Sequence, residues 1–483
     1  MPSPYLGQRI VILGFARQGI ALARYLAQAG AQVVISDMQP AETPSVAANI
    51  VALSTGDVQG RGDSESRPSL PIEYALGGHP PNLLDGADLL CLSGGVDTHS
   101  PVAQEARRRG IPLSNDSQIF LEQCPPGVTT IGITGSSGKT TTTTLVGRIL
   151  ERFKIQDSRF KVWVGGNIGN PLIADVEKMR AGDFAVMELS SFQLEIMTRS
   201  PRVAAVLNIT PNHLDRHGTL DVYLAAKHNL VRYQTREDVA ALGWDNWASR
   251  NLNVPEARTI FFSAEVEFPE GAFLRDEKLI WRWAGDEHEV CRVSDIHLRG
   301  RHNVLNVLAA CAISGVALAL SEVEGGALVE AMRAGIAGFI GVEHRLEFVR
   351  EHNGVKWYND SIASAPERVI AALHSFDEPI VLLAGGRDKK LPWEDLATLA
   401  KTRVKHLVLF GEAGPLIQRA LEAAQMDQAR HTLRPTLAEA TAVAASQARP
   451  GDIVLLSPGC TSFDEFHDFA ERGARFKEWV RAL

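Results

Sequence analysis

The sequence predicts a three-domain α/β protein, and three observations carry that reading. Apolar runs suited to buried strands are followed by glycine-rich or polar turns and then by helical apolar spacing, the pattern of parallel βαβ units. One of these turns, Gly132-Ile-Thr-Gly-Ser-Ser-Gly-Lys-Thr140, places lysine and threonine directly after its last glycine. In a loop that cradles phosphate with backbone N–H groups and a helix N-terminus, lysine there reaches the outer phosphates and threonine the Mg²⁺. Ile133 stands where the general pattern has its first glycine, and the structural alternative is a turn that only starts a helix. The length, 483 residues, suits about three domains of ~100–200 residues each.

Composition narrows the class. Hydrophobic residues at 45% and charged residues at 22% are ordinary for a globular protein with packed cores. A net charge of −8 argues against a nucleic-acid-binding surface. The cysteines (Cys91, Cys124, Cys291, Cys311 and Cys460) are scattered and form no C-x-x-C pair. That excludes a zinc site of the usual spacing and points to a reducing compartment, hence a cytoplasmic location. Met1 to Gln8 lack the apolar core of a signal peptide. The longest near-apolar stretch, Val304 to Leu320, is interrupted by Asn306 and falls short of ~20 residues, so a buried helix is expected and no membrane insertion.

In the first domain, residues 1–125, Arg9 to Leu13 reads as a buried strand. Gly14-Phe-Ala-Arg-Gln-Gly19 is a tight turn, Ile20 to Ala29 a helix, and Val33 to Ile35 a second strand ended by Asp37. This is a Rossmann-like start. Ala16 stands where the dinucleotide fingerprint wants glycine, so a nucleotide-binding turn and a structural βα turn both fit. Ser54 to Arg67 is polar, without apolar period, and reads as a surface loop; its Arg61-Gly62-Asp63 is a chance triplet. Ala87 to Leu92 is a further strand, and Pro125-Pro126 closes the domain.

The central domain, residues 126–340, opens on a strand from Val128 to Ile133 and the phosphate loop. Lys139 would reach the outer phosphates and the Thr140 hydroxyl would hold Mg²⁺. Three more strands end in polar clusters. Val162 to Val164 precedes Gly165-Gly-Asn-Ile-Gly-Asn170. Phe184 to Met187 precedes Glu188-Leu-Ser-Ser-Phe-Gln-Leu-Glu195. Val203 to Leu207 precedes Asn208-Ile-Thr-Pro-Asn-His-Leu-Asp-Arg-His217. Ligands of open α/β sheets sit at the carboxyl ends of strands. Glu188 could reach the metal of a phosphate loop. His213 could meet a metal, a substrate oxygen or only its own loop. Lys227, on a helix from Asp221 to Val231, reads by spacing alone as a solvent-facing lysine. In the third domain, residues 341–483, Val355 to Tyr358, Ile380 to Leu383, His406 to Phe410 and Ile453 to Leu456 alternate with helices and form a second Rossmann-like unit.

Several motifs resemble those of the Mur ligase family. They are Thr134-Gly-Ser-Ser-Gly-Lys-Thr-Thr141, Gly166-Asn-Ile-Gly169, Asn208-Ile-Thr-Pro-Asn-His-Leu-Asp215, Tyr223-x-x-x-Lys227 and Gly300-Arg-His-Asn303-x-x-Asn306. Glu188 to Glu195 and Ser457-Pro-Gly-Cys-Thr-Ser-Phe-Asp-Glu-Phe466 look like the versions in the family's D-glutamate-adding branch. The Asp-Asn-Pro-Arg type motif of the diaminopimelate- and lysine-adding branches is absent.

The resemblance implies a UDP-binding domain, a central ATPase of parallel or mixed sheet and an amino-acid-binding domain. It implies ATP-dependent joining of D-glutamate to UDP-N-acetylmuramoyl-L-alanine through an acyl phosphate, in peptidoglycan precursor synthesis. Two Mg²⁺ ions and a carbamylated Lys227 are implied cofactors; a monomer is expected. By matching positions, Gly135, Ser136, Ser137, Gly138, Lys139, Thr140 and Thr141 would hold phosphates, and Asn306, Arg345 and Asp360 would contact ATP. Thr140, Glu188, His213 and Lys227 would serve the metals. Phe15, Ala16, Arg17, Asp37 and Asn167 would hold the UDP substrate. Ser364, Lys389, Ser462 and Phe469 would hold D-glutamate. Ile362 stands where some members carry lysine, and Arg387 or Lys390 could replace that cation.

Overall fold

The computed structural model describes residues 3–55, 72–154, 160–254, 256–321, 325–389 and 391–483. Arg61-Gly62-Asp63, most of the Ser54–Arg67 segment and Lys390 lie outside the described residues. The chain divides into two compact units, residues 1–296 with 301–338, and residues 297–300 with 339–483.

The first unit holds two sheets. One is parallel, with strands β1 (Arg9–Leu13), β2 (Gln32–Asp37), β3 (Ile72–Leu76), β4 (Leu89–Leu92) and β5 (Leu113–Ser114) in the order β3-β2-β1-β4-β5. Ile10 to Leu13 are buried, as a central strand covered on both faces requires. The order reverses around β1, which puts the Gly14–Gly19 turn at the switch point where such sheets bind ligands.

The other sheet has nine strands. They are β6 (Thr129–Thr134), β7 (Val162–Gly166), β8 (Phe184–Glu188), β9 (Val203–Val206), β10 (Val239–Gly243), β11 (Arg258–Ser263), β12 (Gly271–Arg275), β13 (Lys278–Trp283) and β14 (Asp286–Arg292). Their order is β14-β13-β12-β11-β10-β9-β6-β8-β7. β6 lies between β8 and β9, parallel to both. The phosphate loop therefore leaves the sheet flanked by the Glu188 and Asn208 clusters. β12 to β14 form an antiparallel extension that the sequence reading did not anticipate. The first of its two tight turns uses Asp276 and Glu277 at positive φ, so the usual glycine or asparagine signal is missing there, while the second has Gly285. The apolar helix, Arg301–Ala319, packs across β9 to β12 and is largely buried.

The second unit is a six-stranded sheet of β15 (Glu347–His352), β16 (Val355–Asn359), β17 (Ile380–Gly385), β18 (Val404–Phe410), β19 (His431–Arg434) and β20 (Ile453–Gly459). The order is β15-β16-β20-β17-β18-β19, parallel except for β15. Alternate residues feed two cores: Leu382 and Leu455 face one, Leu383 and Leu456 the other. β8, β17 and β20 run beyond their apolar stretches into Glu188, Gly385 and Gly459, because ladder hydrogen bonds continue past the last apolar side chain.

Candidate functional site

The phosphate loop is held open by its neighbours. Ser136 N–H donates to the Asn208 carbonyl at 2.9 Å, and Ser137 N–H to Asn208 Oδ1 at 2.9 Å. Asn208 Nδ2 returns a bond to the Ser137 carbonyl at 3.2 Å. The Ser136 hydroxyl donates to the Thr210 carbonyl and accepts from its N–H, each at 2.9 Å. Gly138 has φ +81°, and a Cβ there would lie 2.2 Å from Asn306 Oδ1. Only glycine takes that backbone at so close an approach. Behind it the helix Lys139–Lys154 begins. Thr140 is half-buried and Thr141 buried, both in its first turn.

Two lysines converge on one carbonyl. Lys139 Nζ donates to the Gly135 oxygen at 2.8 Å, and Lys227 Nζ to the same oxygen at 3.0 Å and to Thr134 Oγ1 at 3.2 Å. Lys227 is only 1% exposed, which corrects the solvent-facing reading. Its helix, Leu220–Arg232, buries Tyr223, Ala226, Lys227, Leu230 and Val231, so the lysine falls on the apolar stripe. Burial, reinforced by the Lys139 charge and opposed by Glu188, pushes its ammonium well below the usual lysine pKa. Such a lysine spends far more of its time as the neutral, nucleophilic amine.

Glu188 is 2% exposed at the end of β8. Its Oε1 accepts from Asn167 Nδ2 at 2.9 Å, and its carbonyl accepts from Asn167 N–H at 2.8 Å. Gly166 makes this possible: φ is +97°, and a Cβ would sit 2.5 Å from the Glu188 carbonyl. Glu188 Oε2 is buried with no hydrogen-bond partner among the described residues. An ionised oxygen left so is costly unless something cationic meets it. Among the described residues no group of three His, Cys, Asp or Glu could hold a metal. One carboxylate and one threonine hydroxyl suit Mg²⁺, which keeps waters and takes phosphate oxygens for its other positions.

His213 is exposed at φ +54°, with its ring edge against Phe192 at 5.2 Å. It thus sits on the Glu188–Glu195 segment. Tyr223 was quoted in a motif but given no role by the sequence reading. Its hydroxyl lies 2.9 Å from Ser136 Oγ and its ring 4.8 Å from Lys227 Nζ. The signal was the i, i+4 spacing to Lys227, which puts both on one helix face.

At the first turn, Phe15 N–H donates to Asp37 Oδ2 at 2.7 Å, and Asp37 Oδ1 accepts from Gln39 N–H at 2.9 Å. Ala16 is the N-cap of the helix Arg17–Gln28 and supplies no side-chain cap. Arg17 reaches the Asn167 carbonyl at 3.4 Å, so residues of both sheets meet here.

In the second unit Asp360 is buried; Leu346 N–H and Ser457 Oγ donate to it at 3.2 and 2.8 Å. Burial, outweighing those bonds and the pull of Arg345, raises its pKa to about 7. Lys389 Nζ donates to Ser364 Oγ at 3.0 Å. Ser462 is buried and Phe469 is half-exposed, its ring edge-on to His344 at 6.1 Å. Arg387 forms a solvent-exposed bidentate pair with Glu412, both bonds at 2.9 Å.

The chain is similar to known proteins along its length. Residues 133–314 match the sequence model described as Mur ligase middle domain, and residues 344–460 that described as Mur ligase, glutamate ligase domain. The UDP-N-acetylmuramoylalanine--D-glutamate ligase of Symbiobacterium thermophilum is 40% identical, over 99% of both chains. That of Acetivibrio thermocellus is 38% identical, over 99% of this chain and 97% of its own. Among solved structures, the UDP-N-acetylmuramate-alanine ligase MurC of Thermotoga maritima superposes with a TM-score of 0.56 at 18% identity, over 98% and 99% of the two chains. With a shared fold along the chain, two matching domain descriptions and full-length relatives well above 30% identity, this chain belongs to the Mur ligase family.

Proposed function

We propose that the chain is the ligase that joins D-glutamate to UDP-N-acetylmuramoyl-L-alanine at the expense of ATP. The observation that carries this reading is the convergence of Lys139 and Lys227 on the Gly135 carbonyl beside a buried Glu188 with one unpartnered oxygen. The names of the full-length relatives support the choice of substrates.

A carboxylate is inert to amines because oxide is too poor a leaving group. In the proposed reaction the alanyl carboxylate attacks the γ-phosphorus of ATP, ADP leaves, and an acyl phosphate results. The D-glutamate amine then attacks the acyl carbon; inorganic phosphate leaves and the amine proton is lost. The chain's part is positioning and charge neutralisation. Lys139 and the amides of Gly135 to Thr141 hold the outer phosphates, with Asn306, Arg345 and Asp360 on the rest of ATP. Phe15, Ala16, Arg17, Asp37 and Asn167 hold the UDP substrate, and Ser364, Lys389, Ser462 and Phe469 the amino acid.

Thr140 and Glu188 would hold one Mg²⁺, and His213 with a carbamylated Lys227 a second. When bound, the ions offset the phosphate charge. The neutral amine favoured at Lys227 supports carbamate formation, in which the amine adds CO₂ and releases a proton. An enzyme fed by ATP fits a cytoplasmic location, and we take it as a monomer. The boundaries near residues 125 and 340 are proposed to delimit the three domains.

The test is phosphate release with Mg-ATP and UDP-N-acetylmuramoyl-L-alanine against D-glutamate, L-glutamate, L-alanine, L-lysine and meso-diaminopimelate. Release with D-glutamate alone is expected. Release with another amine would keep the chemistry and move the specificity; no release would overturn the reading. Separately, protein equilibrated with ¹³CO₂ should show one carbamate carbon resonance, absent from Lys227→Met.

A further inference from the structure

Behind the residues assigned to the amino acid lies a cation with no assigned role. Arg472 occupies the first turn of the helix Phe469–Ala482 and is fully buried. Its Nε donates to Ser361 Oγ at 3.0 Å and its Nη1 to the Thr461 carbonyl at 3.0 Å. Its Nη2 donates to the carbonyls of Ser361 at 2.8 Å and Cys460 at 3.1 Å. Ser361 Oγ passes the chain on, donating to the Phe469 carbonyl at 2.8 Å. Every acceptor is a carbonyl or a hydroxyl. Asp464 and Glu465 act on the guanidinium only through space.

That environment is unusual. A buried arginine is normally matched by a bonded carboxylate, because removing the charge from water is costly. Here burial lowers the guanidinium pKa to about 10, still well above neutrality, so the group stays charged. The charge is felt at Lys389, whose own pKa is lowered by burial first and by Arg368 and Arg472 beside it. The carbonyls that Arg472 holds lie next to Ser462 and in the loop that carries Ser364. The relay through Ser361 ends on Phe469 itself.

We propose that Arg472 is a positioning residue for an acidic amino-acid substrate. It ties the 359–364 loop, the 460–462 loop and the start of the Phe469–Ala482 helix into one frame, and it sets a dehydrated positive charge behind Lys389. A substrate with two carboxylates gains from both: the frame fixes the hydrogen-bond donors, and the field favours the anion where water is excluded. This rests on the D-glutamate reading of the region. Lysine cannot do the same work, since one ammonium cannot satisfy acceptors spread around a planar fork.

The test compares Arg472→Lys, Ser361→Ala and the double variant in the full chain, by KM for each substrate, kcat and thermal midpoint. We expect Arg472→Lys to raise KM for D-glutamate about tenfold or more, with KM for ATP and for the UDP substrate within twofold. Ser361→Ala should raise the D-glutamate KM about threefold, and the double variant should be no worse than Arg472→Lys alone. If all three KM values rise together, or if the two substitutions act independently, Arg472 is only structural and the proposal falls. Should Arg472→Lys fail to fold, Ser361→Ala decides: a selective rise supports the proposal, no rise overturns it. A wild-type enzyme that ignores D-glutamate overturns the functional reading and the proposal with it. A wild-type enzyme that uses D-glutamate, with an unchanged KM in the variants, overturns the proposal alone.

Discussion

The first unit contains two glycine-rich turns that follow buried strands and precede helices, and they are braced by different groups. The turn after β1 is braced by a carboxylate, with Asp37 accepting from the Phe15 amide, and a second acid, Asp116, is buried within the field of Arg17. The turn after β6 is braced by neutral groups, the carbonyl and amide of Asn208, and two lysines sit on its Gly135 carbonyl. At the first turn the Asp37 carboxylate stands beside the Arg17 cation, whereas at the second Lys139 and the loop amides would meet phosphate, and Asn208 rather than a carboxylate braces the turn. A similar βα turn can thus offer a carboxylate that accepts hydrogen bonds from sugar hydroxyls and base N–H groups, or amides and a lysine that meet phosphate. The side chains contributed by neighbouring strands decide which.

This contrast can be broken at its strong end first. Lys139→Met should cut D-glutamate-dependent phosphate release by about 100–1000-fold, the scale for removing one group that meets developing charge. Its thermal midpoint should stay within a few degrees of wild type, because the lysine is only half-buried. A loss below tenfold would mean that the loop amides, and not the Lys139 charge, make the second turn attractive to phosphate.

Asp37→Asn tests the first turn. Asparagine can still accept from the Phe15 amide, so only the charge assistance, about 1 kcal/mol, is lost, and KM for the UDP substrate should rise about fivefold while KM for ATP stays unchanged. An equal rise in both would erase the distinction between the turns.

Asp116→Asn acts on stability rather than on activity and carries a pH signature. Burial raises the Asp116 carboxyl from 3.8 to about 6, against the opposing influence of Gln193 and Arg17. A carboxyl with a raised folded pKa contributes stability that is fully present below its unfolded pKa and is lost as pH rises through about 6. Wild type should therefore lose on the order of 1 kcal/mol per pH unit across that window, relative to the asparagine variant. Chemical denaturation at pH 4, 5, 6 and 7 reads the difference. Parallel stability curves would show that Arg17 keeps Asp116 ionised throughout.

Much of the fold was legible along the chain. The strands feeding the phosphate loop, Glu188 and Asn208 were read from apolar runs because a strand buried on both faces must be apolar throughout. The β12–β14 extension was not, since its strands alternate with charged residues such as Arg275 and Arg282 and its first turn, Asp276 and Glu277, lacks glycine. The site divided in the same way. Lysine and threonine after Gly138 declare phosphate chemistry locally, as does an acid at the end of a strand.

Local sequence could not tell that Lys227 is buried, that Glu188 keeps one oxygen unpartnered, or that Arg472 is ringed by carbonyls. The sequence by itself determined the strand and helix periods, the glycine turns and the residue types offered at each strand end, because these depend on backbone sterics and nearest neighbours. Tertiary structure alone decided the protonation and partners of those residues. Desolvation and charge coupling arise only when β6 is seated between β8 and β9, and when the Phe469–Ala482 helix packs on β15 and β16 and brings Arg472 to the loop after β20.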